Sequence, residues 1–520
     1  MLTFGTAGLR GQLGPGDSQM NVATVTRVTA GLMAWLTAHV DNPQVVIGCD
    51  GRHGSTEFYQ ATAQVVAAAG GRALCLPQSH PTPLTAFSVK HLHADAGVMI
   101  TASHNPATDN GYKVYLGGRI ATGPAAGVQL IPPADSDIAT AIARTPAADQ
   151  VPCASRDDPG IIHVDTRDAY RQAARDLNAA LTGDGKAAHT EFTIALTAMH
   201  GVGGALAEQV LTDAGFTVSM VAEQATPDPD FPTVAFPNPE EPGALDLAIA
   251  HATAIDADLI MALDPDADRL AVAIPDSQST DGWRQLTGDE TGCLLADYLI
   301  QRGVITPGST VASSIVSSRQ LSAIAAAHGI NYQATLTGFK WIARTPGLSF
   351  GYEEAIGYCC NPATVADKDG ITAALTFAHL AGDLSANRHT VQFALDRLAT
   401  TYGHYATAPL TLRVEDPAII ATAMARLRAT PPQRLAGSPV TTVVDFLNAD
   451  ANTVPGRTDA IMAVTAHDDR VIIRPSGTEP KLKCYLEVIA PPGDPTAQQN
   501  TADRLNWLRR DVAALLDAPR

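Results

Sequence analysis

At 520 residues the chain is too long for one hydrophobic core and implies roughly three or four domains. Its apolar fraction of 45% is that of an ordinary folded protein, and a net charge of −18 argues against generic binding to nucleic acid or anionic lipid. Met1–Gly11 lacks the apolar segment of a secretion signal, no apolar run approaches the ~20 residues a membrane span needs, and the seven cysteines are scattered without a CxxC pair, so the expected setting is reducing and cytoplasmic.

In chain order, the first part reads as repeated strand–helix units. Val25, Val28, Leu32 and Leu36 recur at helical spacing, and Gln44–Cys49 is a short apolar strand that stops at Asp50, Gly51 and Arg52. Glu57–Ala69 reads as a helix, Arg72–Leu76 as a strand, Pro81–His93 as a helix and Gly97–Ile100 as a strand. Such alternation implies a mostly parallel sheet covered by helices, with ligand-binding loops at the carboxyl ends of its strands. Those loops carry Arg52 and His53 in one case, and Ser103, His104, Asn105 and Pro106 in the other. On this segment alone Ser103 fits either a cap or a nucleophile.

Residues 140–165, rich in Ala, Pro and Asp, read as a boundary. A second unit follows with strands at Phe192–Ala198, Thr217–Val221 and Asp258–Leu263, a proline-rich loop from Pro227 to Pro242, and helices at Gly204–Ala214 and Leu245–Ala254. A third begins near Gly288–Glu290, with Gly338, Phe339 and Lys340 as a loop and Leu348–Gly351 leading into Tyr352–Gly357. After about residue 400 the pattern turns antiparallel, with a hairpin at Ala460–Val464 and Arg470–Ile473 and an amphipathic terminal helix. The expected fold is α/β: three similar mixed or mostly parallel α/β domains (1–160, 161–280 and 281–395) followed by an α+β domain (396–520).

Four segments carry chemistry. Asp264, Asp266 and Asp268 follow a buried strand at alternate positions, so their carboxylates point to one side. Three converging acids repel one another, and a hard divalent cation, Mg2+, relieves that and leaves room for a phosphate. A solvated acidic turn and an aspartyl-phosphate phosphatase, with Asp264 as nucleophile and Asp266 as acid, are the alternatives. An EF-hand is a poor fit, since Arg269 stands where it needs glycine. Arg474, Ser476, Gly477, Thr478 and Lys481 offer a guanidinium, two hydroxyls, turn amides and an ammonium, a cradle for a tetrahedral dianion. Glu353 and Glu354 after another buried strand are suited to accept hydrogen bonds from vicinal sugar hydroxyls, with a plain surface turn as the alternative. Arg10 lies in a glycine-rich segment, and Lys113 and Lys340 are candidate cations or proton donors. The chain has no P-loop and no GxSxG around Ser103, which argues against nucleotide-driven kinase chemistry and a serine hydrolase.

TASHNP at 101–106, DPDADR at 264–269, YEEAIG at 352–357 and RPSGTEPKLK at 474–483 occur in an order that resembles the α-D-phosphohexomutases, the phosphoglucomutase/phosphomannomutase family. GTAGLRG at 5–11, DNGYKVY at 109–115, MHGVG at 199–203 and LTGFKWI at 336–342 resemble its phosphoglucomutase/phosphopentomutase-like branch. The resemblance implies four domains around a central cleft and exchange of phosphate between C1 and C6 of a hexose, glucose or mannose, through an enzyme phosphoserine. A pentose phosphate is the alternative within the branch. It implies that Ser103 carries the phosphate, that Asp264, Asp266, Asp268 and the Ser103 oxygen hold Mg2+, and that a sugar bisphosphate serves as intermediate and activator. Arg10, Lys113 and Arg269 would flank the transferring group, with Lys113 as general acid/base and His104 as a loop contact. Glu353 would contact the sugar, and the 474–481 loop its distal phosphate. Ala355 departs from the serine found in many glucose and mannose mutases, which removes a sugar hydroxyl contact.

Overall fold

Short apolar runs ending in polar turns set the frame. The computed structural model describes residues 2, 4, 5, 8–183, 189–414, 416–449, 455–476 and 481–517. The chain divides into two compact units: residues 1–310 with 339–389, and 311–338 with 390–520.

In the first unit, Gln44–Cys49, Arg72–Cys75, Ala96–Ile100 and Ile161–His163 lie parallel, with Ala96–Ile100 and Arg72–Cys75 flanking Gln44–Cys49. The sheet is mixed, because Asp109–Leu116 pairs antiparallel with Ala96–Ile100 and, on its other edge, with Leu9–Gln12. Asn110 and Lys113 break the apolar pattern of Asp109–Leu116, yet both are buried, since the strand is covered on both faces. The Ala/Pro-rich stretch 140–165 does not separate cleanly from this sheet; its end, Ile161–His163, forms the sheet's far strand.

A second sheet has Thr217–Met220, Thr193–Thr197 and Leu259–Leu263 in parallel, extended by the antiparallel strands Leu270–Pro275 and Trp283–Gln285. Leu263 pairs with Leu270, so the acidic segment 264–269 is the connection of a hairpin. Helix Gly288–Gln301 starts at a capping box, with Thr287 accepting from the Glu290 amide and the Glu290 carboxylate accepting from the Thr287 amide. Leu348–Glu353 pairs with Gly357–Cys359, and Asp369 caps helix Gly370–Ala386. Of Gly338, Phe339 and Lys340, expected as a loop, the last two instead open a short helix, Phe339–Ile342.

Strand Thr310–Ser314, which belongs to the second unit from residue 311 on, lies beside Asn331–Thr335. A six-stranded antiparallel sheet follows, in the order His404–Arg413, Lys481–Ala490, Arg470–Pro475, Ile461–Thr465, Ser438–Asp445 and Arg434–Leu435. Its core packs Leu482, Leu486 and Val488 against Leu508 and Val512 of helix Ala497–Asp517. Among the described residues no helix is long and apolar enough to cross a membrane.

Two buried histidines are expected to make this fold less stable in acid. His80 lies between the Pro77 carbonyl, 2.5 Å from Nδ1, and Thr85 Oγ1, 2.9 Å from Nε2; burial pushes its pKa down to about 4. Burial, with His189 nearby, does the same to His379, also to about 4. Unfolded, each imidazole takes a proton near pH 6.5 that the fold refuses, so their stabilisation is complete above that value and is lost as pH falls toward 4. The expected loss is of the order of 3 kcal/mol for each group. Urea midpoints at pH 7 and pH 4.5 test it; equal midpoints would show that these imidazoles are not the acid trigger.

Candidate active site

The serine loop begins where the buried strand Ala96–Ile100 ends, and it is pinned from below. Arg52 is buried and donates from Nη2 to the carbonyls of Ser103 and Asn105 (both 2.6 Å) and from Nη1 to those of Pro106 (2.7 Å) and Asp109 (3.2 Å). Only a guanidinium offers enough donors in a fixed fork for four carbonyls. Phe231 covers it, 5.0 Å from the guanidinium carbon to the ring centre. The crevice rule that draws attention to Arg52 and His53 therefore finds a loop staple in the first. His53 instead faces outward and pairs with exposed Asp230 at 2.7 Å. Ser103 has φ +54°, a left-handed conformation that costs a non-glycine residue about 1–3 kcal/mol and persists only when the surroundings over-determine it. The Arg52 bonds and the Ser103 amide donating to Thr101 Oγ1 at 2.9 Å supply that constraint.

Ser103 Oγ donates to Asp264 Oδ2 at 2.9 Å, although 161 residues separate the two. His104 Nδ1 lies 3.3 Å from Ser103 Oγ and 3.9 Å from Asp264 Oδ2. Burial, with Arg269 and Arg10 adding to it, pushes the His104 pKa well below the usual imidazole value, so the ring is neutral. Arg10, on strand Leu9–Gln12 opposite Gly111, donates to Asn105 Oδ1 at 3.0 Å and so reaches the same loop.

Asp264, Asp266 and Asp268 are all buried, and one ligand oxygen from each lies within 4.8 Å of the others. Lys113 is delivered from Asp109–Leu116, the second strand in from the Leu9–Gln12 edge of the first sheet; its Nζ donates to Asp266 Oδ2 at 2.7 Å and Asp268 Oδ2 at 3.0 Å. Thr82 also donates to Asp266 Oδ2, at 2.6 Å, and the Arg269 amide to Asp264 Oδ1, at 3.0 Å. Asp266 Oδ1 and Asp268 Oδ1 are buried with no hydrogen-bond partner among the described residues. Buried anionic oxygens without donors are costly, and a cation is what such a donor set accepts. Burial, then the charges of Asp266 and Asp268, push the Asp264 carboxyl well above its ordinary range. Burial acts on Asp268 in the same sense, but Lys113, Lys368 and Arg269 outweigh it and hold its pKa low. The cluster can hold a metal ion.

Lys368 is the residue sequence reasoning misses. Its buried Nζ lies 3.1 Å from Asp268 Oδ2, 3.3 Å from Asp367 Oδ1 and 5.5 Å above the Phe339 ring. No apolar run precedes it to mark a strand-end loop; the available signal is the helix-capping Asp369 immediately after it. Gly370 brings that helix against the acidic hairpin. A Cβ there would stand 2.4 Å from the Arg269 carbonyl oxygen and 2.9 Å from that of Ala267, so only glycine fits.

Arg269 reaches the third strand pair, with Nη1 donating to the Ala355 carbonyl at 2.5 Å and Nη2 3.5 Å from Glu353 Oε1. Burial raises the Glu353 pKa against the opposing pull of Arg269. Glu354 follows, half-buried, and Lys340 is half-buried on the helix Phe339–Ile342, where its carbonyl accepts from Arg344 at 2.9 Å. The first unit thus brings together Arg10, Ser103, His104, Lys113, the three aspartates, Arg269 and Glu353.

In the second unit Arg474 pairs with Lys483 across the hairpin, and the Ser476 amide donates to the Lys481 carbonyl at 2.8 Å. Arg474 Nε is buried and has no hydrogen-bond partner among the described residues. Gly477 and Thr478 lie outside the described residues.

Comparison with known proteins gives the family. Family profiles described as phosphoglucomutase/phosphomannomutase alpha/beta/alpha domains I, II and III match residues 1–148, 170–277 and 287–400, and the C-terminal domain of the same family matches 411–491. A Haemophilus influenzae protein named “Probable phosphomannomutase” is 41% identical over 90% of this chain and 93% of its own length. The Homo sapiens phosphopentomutase is 33% identical over 96% of this chain and 86% of its own. A crystal structure of a phosphoglucomutase/phosphomannomutase family protein from Burkholderia thailandensis shares the fold, with a TM-score of 0.73 at 18% identity, covering 100% of this chain and 98% of that one. The chain belongs to the α-D-phosphohexomutase family and is a phosphosugar mutase.

Proposed function

We propose that the chain interconverts hexose 1-phosphate and hexose 6-phosphate, of glucose or mannose, through a phosphoserine at Ser103. The observation that carries this reading is Ser103 Oγ resting 2.9 Å from Asp264 inside a buried cluster of three acids, a lysine and an arginine. The phosphoryl group leaves Ser103 Oγ for the free hydroxyl of a bound sugar monophosphate, giving a sugar bisphosphate and a serine hydroxyl. After the sugar reorients, Ser103 Oγ takes the other phosphoryl group and the isomer departs. A sugar bisphosphate supplied from solution would then recharge a dephosphorylated enzyme.

Asp264, Asp266 and Asp268, with the Ser103 oxygen, would hold Mg2+. When bound, the ion would supply Lewis-acid polarisation of the phosphoryl group. Arg10 and Arg269 balance charge around the group in transfer, as positioning-dominated phosphoryl transfer requires. Lys113, whose ammonium faces Asp266 and Asp268, is the general acid/base for the sugar hydroxyl, and neutral His104 steadies the serine loop. Glu353 and Glu354 accept from sugar hydroxyls, and Lys340 supplies a further cation. Arg474, Ser476, Gly477, Thr478 and Lys481 hold the phosphate that is not in transfer; Arg474 Nε, buried with no hydrogen-bond partner among the described residues, supports this. Six of the seven cysteines are buried free thiols, in keeping with a reducing compartment, the cytoplasm.

A pentose phosphate, exchanged between C1 and C5, is the second reading. Ala355 lacks the hydroxyl that would bind a hexose, and a phosphopentomutase is among the relatives. Side-by-side kcat/KM values for glucose, mannose and ribose 1-phosphates decide between them; a ribose preference would overturn the hexose assignment. Arg474→Ala should raise KM by about 10- to 100-fold, the worth of a charge-assisted hydrogen bond. An unchanged KM would remove the distal-phosphate role.

A further inference from the structure

Two lysines converge on one oxygen. Lys113 Nζ and Lys368 Nζ lie 3.0 Å and 3.1 Å from Asp268 Oδ2. Two ammonium groups on one acceptor repel each other, and a lysine stem has freedom to swing toward Oδ1 of the same carboxylate, which lies 3.7 Å from Arg269 Nε and has no hydrogen-bond partner among the described residues. Something must hold Lys368 where it is.

Asp367 does so by its geometry. Its Oδ1 lies 3.3 Å from Lys368 Nζ and accepts from the Lys368 amide at 2.8 Å. Its Oδ2 accepts from Tyr115 Oη at 2.8 Å and from Gln129 Nε2 at 2.9 Å. Both oxygens of this buried carboxylate are engaged, so it has no alternative orientation of equal quality. Tyr115 stands two residues beyond Lys113 on the same strand, and its side chain therefore leaves by the same face. One strand thus places one lysine directly and the other through an aspartate. Gly357 completes the channel, since a Cβ there would lie 2.3 Å from Lys368 Cδ.

Resting on the metal assignment above, we propose that Asp367, anchored by Tyr115 and Gln129, is a positioning residue: it keeps the Lys368 ammonium on Oδ2 of Asp268 and so keeps Oδ1 open for the cation. Asp367→Asn removes the charge that shares Lys368 and lets the ammonium compete for Oδ1. Calorimetric titration with MgCl2 should then show binding weakened by about 10- to 100-fold. At subsaturating Mg2+ turnover should fall with the loss of bound cation, while the sugar-phosphate KM stays within about threefold. In a Lys368→Met background the same Asp367→Asn change should leave Mg2+ affinity and kcat unaltered, because its target is gone. Tyr115→Phe, which removes a single hydroxyl, should weaken Mg2+ binding severalfold in the same direction, and it decides the matter if Asp367→Asn does not fold. Unchanged Mg2+ affinity in the folded variants, or effects of Asp367→Asn and Lys368→Met that multiply, would overturn the proposal. If Ser103→Ala loses turnover while Asp367→Asn binds Mg2+ as the parent does, the positioning role fails and the mutase reading stands. If the parent itself binds no Mg2+, the metal assignment falls.

Discussion

Ser103→Ala should abolish mutase turnover, lowering kcat/KM by on the order of 10⁴-fold or more, because in the proposed mechanism the group removed carries the phosphate. The fold should survive. The hydroxyl makes one bond to Asp264 and one longer contact with His104, and the constraints on the loop come through the main chain, from Arg52 and Thr101. Losing a single hydrogen bond at a buried acceptor costs about 1–3 kcal/mol, a modest fraction of the stability of a chain this size. The decisive measurement combines turnover with phosphate labelling. Incubation with a labelled sugar bisphosphate should transfer phosphate to the parent protein and none to the variant. A variant that turns over at the parental rate, or that still acquires label, would sink the phosphoserine mechanism.

Asp266→Ala should lower turnover by about 10³-fold and abolish its stimulation by Mg2+. This change removes a cation-facing oxygen and the shared acceptor of Lys113 and Thr82 together. It also removes one of three mutually repelling charges, so the metal-free variant should melt no lower than a typical core mutant. The clearer signature is in the response to metal. Mg2+ that binds the folded state alone raises the melting temperature of the parent by mass action, and the variant should show no such rise. Parental turnover, or a parental rise in melting temperature with Mg2+, would exclude Asp266 from the metal set.

Where an apolar run stops at a cluster of polar residues, the site was legible from sequence. Ala96–Ile100 ends at the serine loop, Leu259–Leu263 at the acidic hairpin and Leu348–Glu353 at the paired glutamates, and all three run ends survive in the fold. Composition reveals which chemistry such loops hold because buried strands seldom deliver acids and a serine without a partner. What stays hidden is tertiary. Lys113 itself is singled out in the sequence, but the strand Asp109–Leu116 that carries it and Tyr115 to the site is not, because buried polar residues erase its periodicity. Arg52 looks like a ligand-binding cation and is a loop staple, because its carbonyl partners belong to a segment about 50 residues away in the chain. Lys368 sits in a connection with neither strand nor helix pattern around it.

The close fit at Gly370 has a bearing on how related mutases can be recombined. The Gly370 amide donates to the Ala267 carbonyl, the Leu270 amide to the Ile356 carbonyl, and Arg269 bridges to Gly357, so the hairpin 264–270 and the segment 356–370 are moulded to each other's main chains. Main-chain surfaces cannot adjust through a change of rotamer. These two segments, about 90 residues apart, therefore behave as a single hereditary cassette. Chimeras that take both from one parent should retain the metal site, and crossovers placed between them should lose it even when every catalytic side chain is kept.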